Sequence, residues 1–351
     1  MNKQIRIGSH IIAKDKSVYI IAEMSANHNM DYDRAKLIIE AAAKAGADAI
    51  KLQTYTPDTI TIDCDSEYFM TQSKIWEGMT LYDLYKKSYT PWEWHEGLKE
   101  YANSLGLDFF SSPFDTTAVD FLAKLDVPAY KISSFEINDI PLINRTAKEQ
   151  KPVIISTGIA YVEDIELALQ TCHNVNNDNV ILLKCVSEYP TSYEEMNLNV
   201  ISTMEKEFDC IVGLSDHSLG SEAVIASVAL GARVIEKHLT LSRDDGGSDA
   251  VFSMEPQEFA DMVRQVRNVE KALGSSSYQL TDKQIDSRTG SRSLFVVKDI
   301  KEGEKFTEEN VKSIRPGVGM HTKYYWDVLG KEANCNLPKG TPMSWEYVKR
   351  G

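Results

Sequence analysis

Cysteine is scarce in this chain, and its cysteines do not form motifs. There are five thiols among 351 residues, none in a Cys-x-x-Cys arrangement: Cys64, Cys172, Cys185, Cys210 and Cys335. Their scatter and odd number disfavour a disulfide framework and a structural zinc site. We therefore expect a reduced, cytoplasmic protein.

Long hydrophobic runs and an excess of basic residues are also missing. No apolar stretch approaches the roughly 20 residues that span a bilayer, and residues 1–6 lack the apolar centre of a signal peptide. The 38 Lys and Arg against 52 Asp and Glu leave a formal net charge of −14. This charge argues against nucleic-acid partners, whose phosphates would be repelled. It is compatible with a small anionic substrate, because a local group of lysines can bind an anion.

The chain does contain eight short apolar runs, and nearly all of them end in a polar or ionisable residue. Helix-like stretches separate the runs, which favours a parallel βα repeat with buried strands. Eight strands are the number in a (β/α)8 TIM barrel of about 250 residues, whose active sites lie at the carboxyl ends of the strands. The runs are residues 18–22, 47–50, 107–110, 129–132, 153–155, 180–186, 211–214 and 232–238.

Three segments fall outside this repeat. Residues 5–13 predict a β-hairpin, and residues 53–90 form a long connection of the kind that serves as a lid or specificity loop. The aromatic residues of that connection are Tyr55, Tyr68, Phe69, Trp76, Tyr82, Tyr85 and Tyr89. We assign residues 1–278 to the barrel, 279–289 to a linker and 290–351 to a small β-rich domain. A domain of about 60 residues has little core of its own, so it is expected to dock on its own barrel or on a neighbour's.

Two histidines follow the seventh and eighth predicted strands. His217 and His238 would be brought by adjacent strands to one divalent ion, with Asp216 or Glu236 close by. Imidazole suits Mn, Fe, Co, Ni or Zn better than Mg or Ca. A hydrogen-bonded structural role is the alternative for either histidine taken alone.

Lysines, hydroxyls and carboxylates also stand at the strand ends. Lys51 and Lys131, with Lys184 and Lys237 as further candidates, predict an anion pocket together with the serines that end the strands. These serines are Ser112, Ser134, Ser156, Ser187 and Ser215. The alternatives are lysines that extend outward between helices and a Schiff-base lysine. Glu23 ends the first strand and can act as a base or orient water, or form an ion pair with a lysine.

Taken together, these residues lie in motifs that resemble the sialic acid synthase family. The motifs are residues 22–29, 49–53, 112–114, 131–136, 156–158, 213–218, 236–238 and 315–317. The C-terminal module resembles the antifreeze-like (SAF) domain of these enzymes. The resemblance implies a condensation of phosphoenolpyruvate with an N-acetylated aminosugar that releases phosphate.

The resemblance also implies roles for individual residues. Phosphoenolpyruvate would be bound by Lys51, Ser112, Lys131, Ser134, Ser156, Ser187 and Ser215. Glu23 would be the catalytic carboxylate, acting with Lys51 and Lys131. Mn²⁺, or alternatively Mg²⁺ or Co²⁺, would be held by His217 and His238. The sugar would be contacted by Glu136, Tyr189, Asp249 and Arg315, the last from the SAF domain of a partner chain in a domain-swapped homodimer.

Some segments depart from the sialic acid pattern. Residues 24–26, 81–85 and 246–253 resemble the branch of the family that makes pseudaminic acid, and Ser187 stands where the sialic branch has asparagine. The implied acceptor is 2,4-diacetamido-2,4,6-trideoxy-L-altrose. An N-acetylneuraminic or legionaminic acid synthase is the alternative within the family. A non-catalytic carbohydrate-binding protein is the alternative outside it, and the many ionisable strand ends argue against that function.

Overall fold

The computed structural model describes residues 1–71 and 78–349. The chain divides into two compact units, Met1–Gly274 and Ser275–Gly351. The first unit opens with the predicted antiparallel hairpin, formed by β1 (Gln4–Ile7) and β2 (His10–Ala13). No described helix is both long and apolar enough to cross a membrane.

The rest of the first unit is a closed barrel of parallel strands, in the order β10-β3-β4-β5-β6-β7-β8-β9. All eight apolar runs form strands, which confirms the predicted TIM-barrel fold. Their residues are almost all buried, because helices cover the outer face and side chains fill the interior. The strands are β3 (Tyr19–Glu23), β4 (Ala49–Thr54), β5 (Asp108–Pro113), β6 (Tyr130–Ile132), β7 (Val153–Ser156), β8 (Val180–Lys184), β9 (Ile211–Asp216) and β10 (Val234–His238).

The helices between the strands follow local signals in the sequence. The first begins after Asp31, whose carboxylate accepts a hydrogen bond from the backbone N–H of Arg34 (3.0 Å), and it ends at Gly46 with a φ of 85°. The helices of this unit are α1 (Tyr32–Ala45), α2 (Pro57–Ile60), α3 (Leu81–Ser88), α4 (His95–Ser104), α5 (Thr116–Lys124), α6 (Ile140–Ala147), α7 (Val162–Asn174), α8 (Val200–Glu207), α9 (Glu222–Ala229) and α10 (Pro256–Leu273).

The strand register places functional side chains at one level of the barrel. Glu23 at the end of β3 is paired with Lys51 of β4 on one side and with His238 of β10 on the other. The connection after β4 contains α2 and α3 and therefore lies on the side of the carboxyl-terminal mouth. Trp76, one of its aromatic residues, lies outside the described residues.

The second unit has a small core of its own and contains an antiparallel pair of strands, β11 (Ser293–Val296) and β12 (Val311–Ile314). Two short helices, α11 (Asp282–Ser287) and α12 (Tyr325–Val328), complete its regular structure together with several 3-10 turns. Helix α11 lies within the predicted linker of residues 279–289. The boundaries predicted at 278 and 290 stay a prediction. The core residues include Leu294, Val296, Ile300, Phe306 and Val311.

Candidate active site

A cavity of about 670 Å³ lies at the carboxyl-terminal mouth of the barrel. It is lined by residues at the ends of the strands and in the loops that follow them. Most of the residues predicted from the sequence contribute to this one cavity. They are Glu23, Lys51, Lys131, Ser134, Glu136, Ser156, Ser187, Tyr189, Ser215, His217, His238 and Asp249.

A buried cluster of charges forms the part of the cavity near β3, β4 and β10. The Lys51 Nζ atom lies 2.6 Å from Glu23 Oε2 and 3.7 Å from Glu236 Oε1. Burial opposes the charge of Lys51, but the two carboxylates raise the pKa of its ammonium above the usual value. Burial also raises the pKa of Glu23 to about 7, although Lys51 acts in the opposite direction. Gln53, which sequence reasoning missed, donates a hydrogen bond to Glu23 Oε1 (3.1 Å).

Ser112 lies beside this cluster and is not among the described residues that line the cavity. Its hydroxyl is fully buried and accepts a hydrogen bond from Lys51 Nζ (3.1 Å). The structure therefore places Ser112 where it orients the lysine. Its predicted direct contact with a ligand stays a prediction.

Lys131 of β6 provides a second buried cation, two strands along the barrel from Lys51 on β4. Its Nζ donates to the backbone carbonyl of Ile132 (3.0 Å), the one hydrogen bond that it makes among the described residues. Burial lowers the pKa of Lys131, and Glu236 partly opposes this effect. Because an ammonium has three donors, Lys131 has further hydrogen bonds to offer to an anion in the cavity.

Several polar atoms at the cavity wall are buried without a hydrogen-bond partner among the described residues. They are Ser156 Oγ, Ser187 Oγ, Glu136 Oε2, Glu236 Oε2 and His238 Nδ1. Buried polar groups in folded proteins are nearly always paired. Their position at one cavity makes them candidates to pair with a bound ligand. Burial also raises the pKa of Glu136 to about 7, against the effect of Lys131.

The two predicted metal ligands lie side by side. The ring centres of His217 and His238 are 5.3 Å apart. The Nδ1–H of His217 donates to the carbonyl of Val186 (2.9 Å), so the neutral imidazole carries its lone pair on Nε2. Burial acts to lower the pKa of His217, but the neighbouring Cys185 raises it above its usual value, so a metal ion bound there would displace a proton. Burial lowers the pKa of His238 well below its usual value, so this imidazole is neutral, as a metal ligand must be.

These residues fit a divalent ion that also binds water or substrate. No group of three or more His, Cys, Asp and Glu side chains within residues 1–71 and 78–349 could hold a metal ion. The protein would therefore supply the two imidazoles, and other molecules would complete the coordination. The unpaired Nδ1 atom of His238 is consistent with this arrangement.

The two further lysine candidates, Lys184 and Lys237, are not among the described residues that line the cavity. Successive residues of a strand point to opposite faces, so Glu236 and His238 face the barrel interior whereas Lys237 faces the helices. There it forms a fully buried ion pair with Asp216, with Nζ 2.6 Å from Oδ2. The Lys184 ammonium donates to the carbonyl of Cys185 (2.8 Å).

Some residues in the outer part of the cavity were predicted from the sequence, and others were not. Asp249 accepts a hydrogen bond from the hydroxyl of Ser25, and Tyr189 packs on His217 with ring centres 4.4 Å apart. The alternation of strand side chains could have indicated Gln53 from Lys51. Tyr55, Cys185 and Ser248 also line the cavity, although the sequence analysis did not name them as site residues. Arg315 follows β12 in the second unit and is exposed. Its predicted contact with the sugar stays a prediction.

Comparison with known families decides where this chain belongs. The model of the NeuB family matches residues 38–278, more than half of the chain. The protein is a member of the NeuB family. The model of the SAF domain matches residues 291–349. The expected resemblance to the synthase family and to its SAF domain is therefore confirmed.

Similar proteins support the same assignment along nearly the whole chain. The pseudaminic acid synthase of Campylobacter jejuni subsp. jejuni serotype O:2 is 47% identical over 329 residues, covering 94% of this chain and 96% of that protein. The pseudaminic acid synthase of Helicobacter pylori is 43% identical over 332 residues, covering 94% and 98%. The crystal structure of the N-acetylneuraminic acid (sialic acid) synthetase from Leptospira borgpetersenii serovar Hardjo-bovis, in complex with citrate, superposes with a TM-score of 0.73. It is 32% identical and covers 82% of this chain and 95% of that one.

Proposed function

We propose that this protein is a pseudaminic acid synthase. It would condense phosphoenolpyruvate with 2,4-diacetamido-2,4,6-trideoxy-L-altrose and release phosphate. The observation that carries the proposal is the cavity itself, which brings two buried lysines, unpaired hydroxyls and two imidazoles together at one mouth. The identity of 47% to a pseudaminic acid synthase supports the choice of sugar.

Phosphoenolpyruvate would occupy the inner part of the cavity. Lys131 has hydrogen bonds to offer, and the Ser156 and Ser187 hydroxyls are buried without partners. An ammonium and hydroxyls in a buried site bind phosphate and carboxylate through charge-assisted hydrogen bonds. Lys51, oriented by Ser112, would add a second cation, and Ser134 and Ser215 would add hydroxyls.

The reaction would begin when C3 of phosphoenolpyruvate attacks the aldehyde carbon of the open-chain sugar. Holding both substrates in one cavity makes this step effectively unimolecular, and Lys51 and Lys131 stabilise the negative charge of the phosphate and carboxylate. Water then adds to the positively charged C2, and its proton is accepted by Glu23 acting as a base. The alkoxide left from the aldehyde oxygen then takes up the proton held by Glu23. The C2–O bond to phosphate finally breaks, the departing phosphate takes the proton of the C2 hydroxyl, and the ketone of the product remains.

A divalent ion, Mn²⁺ or alternatively Mg²⁺ or Co²⁺, would be held by His217 and His238. When bound, such an ion polarises a carbonyl oxygen as a Lewis acid. The hydrogen bond from His217 to the Val186 carbonyl would fix the orientation of that imidazole.

The active assembly would be a domain-swapped homodimer. Arg315 is exposed and follows β12 in the second unit. Its guanidinium would reach the acceptor sugar in the partner's barrel, where a planar donor group suits carbonyl and hydroxyl oxygens. Domain swapping of an identical element is a common route to such dimers.

The deciding assay measures phosphate release from phosphoenolpyruvate with each candidate sugar. We expect turnover with the altrose derivative and little with the acceptors of sialic or legionaminic acid synthases. The Lys131→Met variant should lose about 100-fold or more in rate, since removal of one preorganised donor costs that much. Lys184→Met is the matched control, because Lys184 does not line the described cavity.

Two outcomes would point to another function. Preferred turnover of an N-acetylneuraminic or legionaminic acceptor would replace the sugar and keep the mechanism. Trapping of a lysine adduct by borohydride would indicate a Schiff-base aldolase. The pairing of Lys51 with two carboxylates argues against Lys51 as that lysine, because a Schiff base forms from an unprotonated amine. Lys131, whose pKa is lowered by burial, is the lysine that such trapping would test.

A further inference from the structure

One face of α3 contributes directly to the cavity. Leu81, Leu84, Tyr85 and Ser88 recur at the spacing of a single helix face, and all four line the cavity. The side chains on the opposite face are exposed: Asp83, Lys86 and Lys87. The helix therefore presents a mainly apolar stripe to the cavity and a charged surface to solvent.

Contacts on both sides hold α3 against the mouth. The Ser88 hydroxyl lies 2.9 Å from the hydroxyl of Ser248, in the loop that carries Asp249. The ring of Tyr85 packs edge-on against Tyr55, with centres 5.5 Å apart. Leu84 is only 8% exposed. These contacts make the stripe a fixed part of the cavity wall.

The two ends of the cavity differ in polarity. The end at the strand termini carries the charged cluster of Glu23, Lys51 and Glu236, together with Lys131. Where the connection after β4 meets the cavity, the lining is mainly apolar: Tyr55, Ile60, Leu81, Leu84 and Tyr85, with Thr71 and Ser88 as its polar members. Phe114, which follows β5, also lines the cavity. The aldehyde carbon of the acceptor must reach the strand termini to react. The far end of its carbon chain therefore extends toward the apolar end.

We propose that Leu81 and Leu84 of α3, together with Ile60, select an acceptor whose terminal carbon is a methyl group. This inference rests on the proposed function and explains how a 6-deoxy sugar is distinguished from its 6-hydroxy counterpart. A hydroxyl against these side chains would give up its hydrogen bonds to water without replacement. An apolar pocket discriminates against an added hydroxyl by a factor of about 10–100.

The test compares kcat/KM for two acceptors, the 2,4,6-trideoxy sugar and the corresponding 2,4-dideoxy sugar with a 6-hydroxyl. The wild type should prefer the 6-deoxy acceptor by about 10–100-fold. Leu84→Gln and Leu81→Gln should shift this preference toward parity, because glutamine offers hydrogen bonds and retains helix propensity. The KM for phosphoenolpyruvate should not change. Leu167→Gln, on the exposed face of α7, is the matched control and should keep the wild-type preference.

The possible outcomes separate the selectivity from the reaction. An unchanged preference in both variants, or no preference in the wild type, would overturn the role of α3 and leave the proposed function intact. Absence of phosphate release with either acceptor would overturn the proposed function and this inference with it. If circular dichroism shows that Leu84→Gln is misfolded, Leu81→Gln decides, because Leu81 is only half-buried.

Discussion

Replacement of Lys237 by methionine should strongly destabilise the barrel. The side chains of Lys237 and Asp216 are both fully buried, and Nζ lies 2.6 Å from Oδ2. The ammonium also donates to the carbonyl of Ser218. Methionine has a similar volume, so the change mainly leaves the Asp216 carboxylate buried without its cation. Breaking a buried pair in this way costs about 3–5 kcal/mol.

The position of this pair connects it to the candidate active site. Asp216 and Lys237 directly precede His217 and His238, the proposed metal ligands. The Asp216 Oδ1 atom accepts a hydrogen bond from the backbone N–H of Ser218 (2.9 Å). The pair therefore holds the backbone on both sides of His217 in place.

Thermal unfolding of the full chain, followed by circular dichroism, measures the effect. A loss of 3–5 kcal/mol corresponds to a fall of about 6–20 °C in Tm at about 2–4 °C per kcal/mol for a domain of this size. The double variant Lys237→Met/Asp216→Asn should be more stable than Lys237→Met, because it contains no unpaired charge and keeps an acceptor for Ser218. Lys151→Met is the control, since its pair with Asp126 is largely exposed and should contribute less than about 1 kcal/mol.

The reasoning would be refuted if Lys237→Met cost no more than this exposed control. It would also be refuted if the double variant were no more stable than the single one. Either result would mean that the Asp216 carboxylate does not depend on Lys237 for its stability in the fold.

Three further predictions concern the metal, the pH dependence and the assembly. His238→Ala should weaken Mn²⁺ binding at least about tenfold, as measured by electron paramagnetic resonance. A variant that binds Mn²⁺ as tightly as the wild type would contradict a ligand role. His173→Ala, which changes an exposed histidine, is the control. Burial raises the pKa of Glu136 from 4.5 to about 7. The wild type should therefore lose stability relative to Glu136→Gln as pH rises through this interval. If the difference between their free energies of unfolding in urea did not change with pH, the shift would be contradicted. An equal mixture of Arg315→Ala and Lys131→Ala chains should recover about a quarter of wild-type activity if each site combines two subunits, because only the mixed dimer then contains one intact site. No recovery on mixing, or a hydrodynamic mass of one chain, would rule out action of Arg315 in trans.

Much of the barrel could be predicted because its strands are buried on both faces. Such strands appear as short continuous apolar runs, and a polar residue at the end of a run marks the mouth. Glu23, Lys131 and Ser156 were found in this way, and all line the cavity. His217 and His238 were expected to lie side by side because consecutive strands of a closed barrel are neighbours, and their rings do so.

Residue types alone did not predict which way each side chain points as well as they predicted the strands. Lys237 and Lys51 are both lysines near strand ends, yet Lys51 faces the cavity and Lys237 pairs with Asp216 outside it. Ser112 was predicted as a ligand contact, and the structure adds that its hydroxyl accepts a hydrogen bond from Lys51. Side chains alternate between the two faces of a strand, so a shift of one residue decides whether a side chain points into the barrel or out of it.

The sequence by itself determined the barrel, the SAF domain and the kinds of groups at the mouth, because these depend on local patterns and recognisable motifs. Only the tertiary structure decided which of those groups meet. The charged cluster of Glu23, Lys51 and Glu236 joins three strands, and the apolar wall depends on α3 being held by Ser248 and Tyr55. These contacts join residues far apart in the chain, so their distances follow from closure of the barrel and not from any local pattern.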